Sequence, residues 1–285
     1  MLYTDYSVSI LHSPQVFPIT NQHMANFISY LFTRDYNYST IITYISAISY
    51  FCKMLNVHDP TTAFFVKKLL VAIKRTNAKP DSRLPITTII LQRLISTIPL
   101  FTLSTFHREL LPAMYSLAFH AFLRVGEFTS KSKMLSTLPI QLHDVMFFRS
   151  TKGEDLLQVT LSRFKGNVGE SPFFIIIPRS RDVTICAYTL LSRYMTVRPR
   201  VSGPLFVHES GAPVLRDFFT SSLKQNLLVA GIPASSYKSH SFRIGAASHC
   251  ASLGLEDSLI MRLGRWKSSA VRKYIRMPSF TAPQV

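Results

Sequence analysis

The stretch HSFRIGAAS, residues 240–248, sets His240 and Arg243 three positions apart. On a helix that spacing puts both side chains on one face. At a helix start the free backbone N–H groups already favour an anion, and a guanidinium can fork onto two phosphate oxygens. The pair is therefore suited to a phosphate, although H-x-x-R alone is a common surface pattern. Arg124 in YSLAFHAFLRVGEF closes an apolar run that should be buried, where a charge must either reach solvent or find a partner. Glu127 lies three residues on, and from this stretch alone an ion pair within one helix is the simpler reading. Lys165 in LSRFKGNVGE falls at a turn formed by Gly166 and Asn167. A lysine there is ordinarily solvated, but it could also carry an ammonium to a phosphate. Tyr274 in VRKYIR is one of 12 tyrosines, and this segment reads equally as the basic face of an amphipathic helix.

Composition narrows the partner. The 285 residues carry 32 Lys and Arg against 15 acids, a net charge of +17 and a pI near 10.0. Such a field attracts polyanions, nucleic acid first and an anionic membrane surface second. With 47% hydrophobic and 16% charged residues the chain can bury a core and is not of the disordered class. No apolar run approaches the ~18 residues of a spanning helix. The opening MLYTDYSVSI has no basic n-region, so a signal peptide and a membrane partner are not expected. With three widely separated cysteines a disulfide framework is not expected. His249 beside Cys250 has no second pair to complete a metal site.

The elements that must position these residues follow from periodicity. Helices are predicted over 23–32, 39–55 and 61–75, the second with Ser39 or Thr40 as N-cap. TNAKPDSRLP, 76–85, reads as a linker. Helices follow over 86–97 and 108–128. Three short β-type runs at 144–148, 155–161 and 173–178 suggest a small antiparallel sheet. Helices return over 182–195, 215–231, 241–254, 256–264 and 268–276, with Gly254 and Gly264 as stops. The expected class is mainly α with a small antiparallel β-sheet, in two domains.

Taken in order, AFLRVGEF, SRFKGN, HSFRIGAAS, LGRW and RKYIR resemble the successive boxes of the tyrosine recombinases, the phage-integrase-like family. The Arg-Trp form of the fourth box and the YIR ending are most similar to recombinases of eukaryotic mobile elements of the Crypton and DIRS type. STIITYISAISYFCKMLN is similar to the family's helical core-binding domain. The resemblance implies a two-domain DNA clamp: a core-binding (SAM-like) domain over 1–75, a linker over 76–85 and a catalytic domain over 86–285.

It also implies the chemistry. Tyr274 would attack a DNA phosphodiester and become joined to the 3′-phosphate, releasing a 5′-hydroxyl. Arg124 and Arg243 would hold the non-bridging oxygens, His240 would bind the phosphate and assist proton movement, and Lys165 would protonate the leaving oxygen. Glu127 matches the family's acidic position and would orient Arg124 or His240. The fourth box departs from the usual pattern: Arg265 stands nine residues before Tyr274 and Trp266 eight. Either could fill that place, Trp266 could instead pack the core, and Arg265 could simply touch the DNA backbone. The implied partner is double-stranded DNA and the implied assembly a homo-tetramer on it. The 11 residues after Tyr274, with two prolines, are short for the family's docking helix. No cofactor, metal or ATP is expected. The location would be the nucleus of a eukaryote or the cytoplasm and nucleoid of a bacterium. The opposing reading is a domesticated, catalytically inactive DNA-binding protein descended from a mobile element.

Overall fold

The computed structural model describes residues 2–10, 17–76, 82–132, 139–164, 167, 171–267, 271, 272 and 274–276. They fall into two compact units, Met1–Asp81 and Ser82–Val285, each with its own hydrophobic core.

The first unit is helical: α1 (Leu2–Ser9), α2 (Asn21–Thr33), α3 (Tyr38–Met54) and α4 (Phe64–Thr76). On α2, Met24, Phe27, Ile28 and Leu31 recur at helical spacing and are buried; Ile41, Ile45, Ile48 and Cys52 do the same on α3. Helix α1 is not signalled by amphipathicity. It docks through Tyr3 and Tyr6, whose rings lie 4.9 and 5.1 Å from that of Phe27. The cap of α3 is Asn37, two residues ahead of the expected Ser39 and three ahead of Thr40. Its extended backbone and short amide let Oδ1 accept the Thr40 N–H at 3.0 Å. Both hydroxyls donate to that same oxygen. Of the expected linker, residues 77–81 lie outside the described residues.

In the second unit, α5 (Thr88–Phe101), α6 (Thr105–His120) and α7 (Val125–Phe128) precede the sheet. Helix α6 is buried nearly all round from Leu110 to Phe119 and packs on α5, on α8 (Ala187–Val197) and on α10 (His240–Ser252). Strands β1 (Val145–Arg149), β2 (Asp155–Leu161) and β3 (Phe173–Pro178) form an antiparallel sheet in sequence order. Val145 pairs with Val159, and Val159 with Ile175. Alternation turns Leu157, Val159, Leu161, Ile175 and Ile177 into the core. Helices α9 (Arg216–Val229) and α11 (Asp257–Gly264) complete the unit. This is the mainly α class with a small antiparallel sheet that the periodicity predicts. Among the described residues no helix is long and apolar enough to cross a membrane.

Three expected elements differ. The helix predicted over 182–195 begins only at Ala187, after a turn in which the Asp182 carboxylate accepts the Thr184 N–H. The helix predicted over 108–128 stops at His120, and α7 begins afresh at Val125. The segment predicted as helix over 268–276 is described only at 271, 272 and 274–276, where Tyr274 sits in a turn.

Candidate active site

The break after α6 builds the site. Phe122 takes a left-handed φ of 50°. The Leu123 N–H reaches back to the Ala118 carbonyl at 3.0 Å and the Phe122 N–H to that of Phe119 at 3.1 Å. This is a Schellman closure with phenylalanine where glycine is usual, a conformation that costs about 1–2 kcal/mol. Helix α11 ends the same way: Arg265 has φ 56°, and the Trp266 N–H donates to the Met261 carbonyl at 2.9 Å. Gly264 is needed here because a Cβ would fall 1.7 Å from the Trp266 ring. Each closure leaves carbonyls at the negative end of a helix facing inward.

Arg243, from the first turn of α10, occupies the space between those ends. It is fully buried. Its Nη1 donates to the Phe122 carbonyl and its Nη2 to that of Gly264. Its Nε has no partner. The guanidinium carbon lies 4.1 Å from the centre of the Trp266 ring and 5.7 Å from that of Tyr274. The two aromatic rings are themselves 4.9 Å apart and tilted. Burial, with Arg124 and Arg265 nearby, pushes the Arg243 pKa down to about 9; Glu127 and Tyr274 oppose the fall.

Glu127 is the buried carboxylate of the site. Its Oε1 accepts from Arg124 Nη1 at 2.8 Å and its Oε2 from the Arg124 N–H at 2.9 Å. Oε2 also accepts from Arg265 Nη2 at 2.8 Å. Arg265 Nη1 also donates to the Ala121 and Leu263 carbonyls at 3.2 and 3.4 Å and Nη2 to that of Phe122 at 3.1 Å, while its Nε, like that of Arg243, has no partner. Glu127 thus orients Arg124 and not His240, and Arg265 is a buried partner of that carboxylate, not a surface contact. Trp266 is neither a plain core residue nor remote: it forms the floor under Arg243.

His240 opens α10 and is half-buried. Burial lowers its pKa, and Arg83, Arg243, Arg124 and Arg216 lower it further. The imidazole is therefore neutral at neutral pH, inside a ring of guanidiniums. Arg83 and Arg216 were not singled out from sequence. The available signal was Arg216 at the start of α9, where the helix dipole disfavours a cation. The structure brings Arg124, Glu127, Arg243, Arg265, Trp266 and Tyr274 together, with His240 beside the arginines. Lys165 lies outside the described residues. Guanidiniums outnumber the single carboxylate, and two of them, Arg243 and Arg265, are buried with an unpaired Nε; chemically this is a site for an anion beside a phenol.

No protein-family model and no curated protein matches the chain. Among solved structures it is similar to XerH site-specific recombinase bound to palindromic difH substrate, at a TM-score of 0.60 and 12% identity over 92% of this chain and 67% of that one. It is similar to the Tn1549 transposon integrase in complex with circular intermediate DNA, at 0.57 and 12% over 92% and 82%. A lambda integrase dimer bound to a COC′ core site matches at 0.52 and 12% over 94% and 67%. The chain has the tyrosine-recombinase fold.

Proposed function

We propose that this protein breaks and rejoins DNA as a site-specific recombinase, through a 3′-phosphotyrosyl intermediate. One observation carries the reading: the buried Arg243 guanidinium, with a free Nε, stands 5.7 Å from the Tyr274 ring. In this reading the Tyr274 phenol oxygen forms a bond to phosphorus as the bond to the 5′-oxygen breaks. Arg124 and Arg243 stabilise the charge on the non-bridging oxygens, an effect typically worth roughly 10²–10³ in rate per donor. His240, neutral and next to the phosphate, can take up the phenol proton. Lys165 gives a proton to the departing 5′-oxygen, which leaves as a hydroxyl. The phosphotyrosyl ester keeps the bond energy of the diester, so reversal joins a new strand without ATP, and no metal is called for. Glu127 holds Arg124 in place and is a positioning residue. The first unit takes the core-binding role and the second the catalytic one, with most contacts going to phosphates. The resident-element DNA and a tetrameric assembly on it belong to the same reading.

The test is a nicked suicide duplex carrying the element's own terminal sequence, resolved on a denaturing gel. The wild type is expected to form a covalent adduct. Tyr274→Phe should form none and still bind DNA. Arg243→Ala should slow the adduct roughly 10²–10³-fold while DNA affinity stays within about tenfold, because one phosphate contact among many carries little of the binding. Binding by wild type and Tyr274→Phe alike, with no adduct from either, would establish the inactive DNA-binding protein instead.

A further inference from the structure

We propose that Ser248 is a positioning residue that latches the Tyr274 segment to helix α10. Its chemical consequence rests on the recombinase reading above; the latch itself is geometric. Ser248 follows Arg243 by five residues and His240 by eight on the same helix, about 7.5 and about 12 Å along its axis. Its Oγ accepts the Arg276 N–H at 2.8 Å and donates to the Tyr274 carbonyl at 3.3 Å. A hydroxyl is suited to this because it donates and accepts at once. A serine inside a helix commonly turns its hydroxyl back to a carbonyl of the preceding turn. Here the hydroxyl faces outward and clasps the backbone on both sides of Ile275.

The segment is also held by its own turn, with the Tyr274 and Ile275 N–H groups donating to the Val271 carbonyl at 2.7 and 3.2 Å, by the contacts of the Tyr274 ring with Trp266 and Arg243, and by the packing of Ile275 on the core. The consequence follows from rigidity. The helix that presents His240 and Arg243 also anchors the backbone of the phenol, so one element sets the distance between nucleophile and phosphate. Displacement needs the reacting atoms about 3–3.5 Å apart, and a shift of ~1 Å can lose ~10²-fold in rate. Ser248 touches neither phosphate nor phenol in this scheme. It acts through the register of Tyr274 against Arg243.

The experiment uses the full chain. Trp266 is the only tryptophan, and its ring lies 4.9 Å from that of Tyr274, so its emission reports on the latch without any reaction. Exchange of the Arg276 amide hydrogen reports on the same bond. Ser248→Ala should change the emission, speed that exchange and slow adduct formation about 10- to 100-fold, with DNA affinity within about twofold. Ser248→Thr keeps the hydroxyl and should restore all three. Should the alanine variant misfold, Ser248→Cys, with its weak donor, takes its place with the same expected direction. Wild-type emission and exchange in Ser248→Ala, or in Ser248→Cys where it takes its place, would overturn the latch. Altered emission with an unchanged adduct rate would overturn its positioning role. If the wild type itself gives no adduct, the recombinase reading fails, and the emission and exchange changes still decide whether the latch exists.

Discussion

Arg198 and Arg243 are both buried arginines of the second unit, and they are held in opposite ways. Arg198 donates through Nε to the Leu205 carbonyl at 2.9 Å, through Nη1 to those of Pro199 and Val201 at 2.8 and 2.9 Å, and through Nη2 to that of Pro204 at 2.9 Å. It staples the loop after α8 to the helix end. Arg243 reaches two carbonyls, one of them shared with Arg265, and its Nε reaches none. Burial lowers the pKa of both. Around Arg198 the other influence is Tyr194, which opposes the fall; around Arg243 two more guanidiniums deepen it. Burial of a charge therefore does not mark a site. A buried charge with donors to spare, among like charges, does.

The largest effect should come from removing the saturated arginine. Arg198→Met keeps the apolar stem but strips a partner from four loop carbonyls; that of Pro199 keeps the Val201 N–H and that of Leu205 keeps the Tyr194 hydroxyl, while those of Val201 and Pro204 lose theirs. With each unsatisfied buried group costing about 1–3 kcal/mol and part of the loop relaxing into water, the loss should be about 3 kcal/mol in urea unfolding. Arg243→Met should stay within about 1 kcal/mol of wild type. The Phe122 carbonyl keeps Arg265, and relief of repulsion from Arg124 and Arg265 offsets the bond lost at Gly264. Equal losses in the two variants would erase the distinction.

A smaller effect separates the two by ligand. An anion at a site short of negative charge stabilises the folded state by mass action. Inorganic phosphate at ten times its Kd should add about 1.4 kcal/mol, or about 3–6 °C in Tm for a unit of this size. The increment should persist in Arg198→Met and vanish in Arg243→Met. Its persistence in Arg243→Met would move the anion site elsewhere.

How much of this was legible depends on how far apart in the chain the partners lie. The core stripes of α2 and α3 and the alternation of β2 were readable because their signals are local. So was the Arg124–Glu127 pair, three residues apart, and His240 with Arg243 at a helix start. Arg265 could be singled out by its spacing before Tyr274, but its pairing with Glu127 could not be read, because the two lie 138 residues apart. The break after α6 was hidden because Phe122 adopts a conformation normally announced by glycine. Apolar residues continue through it, so the helical pattern runs on where the helix does not. Ser248 carried no signal at all, since its partners are backbone atoms 26 and 28 residues on.

The smallest effect concerns His240 and carries a definite sign. Its pKa is held below the ordinary imidazole value of about 6.5 by burial and by Arg83, Arg243, Arg124 and Arg216. As pH falls through that ordinary value the unfolded chain takes up a proton and the folded site does not, so stability is lost from there down to the depressed pKa. His107, His120 and His208 are lowered by burial too. His240→Gln should therefore remove only one share of the acid loss in melts from about pH 8 to about pH 5. Sulfate, a dianion throughout this range, sharpens the measurement: its charge favours the imidazolium, so its stabilising increment should grow toward acid pH in the wild type and stay level in His240→Gln. In Arg198→Met the growth should match the wild type, because that arginine faces carbonyls and not the anion. Equal growth in His240→Gln would assign the titration to another histidine and remove His240 from the phosphate site.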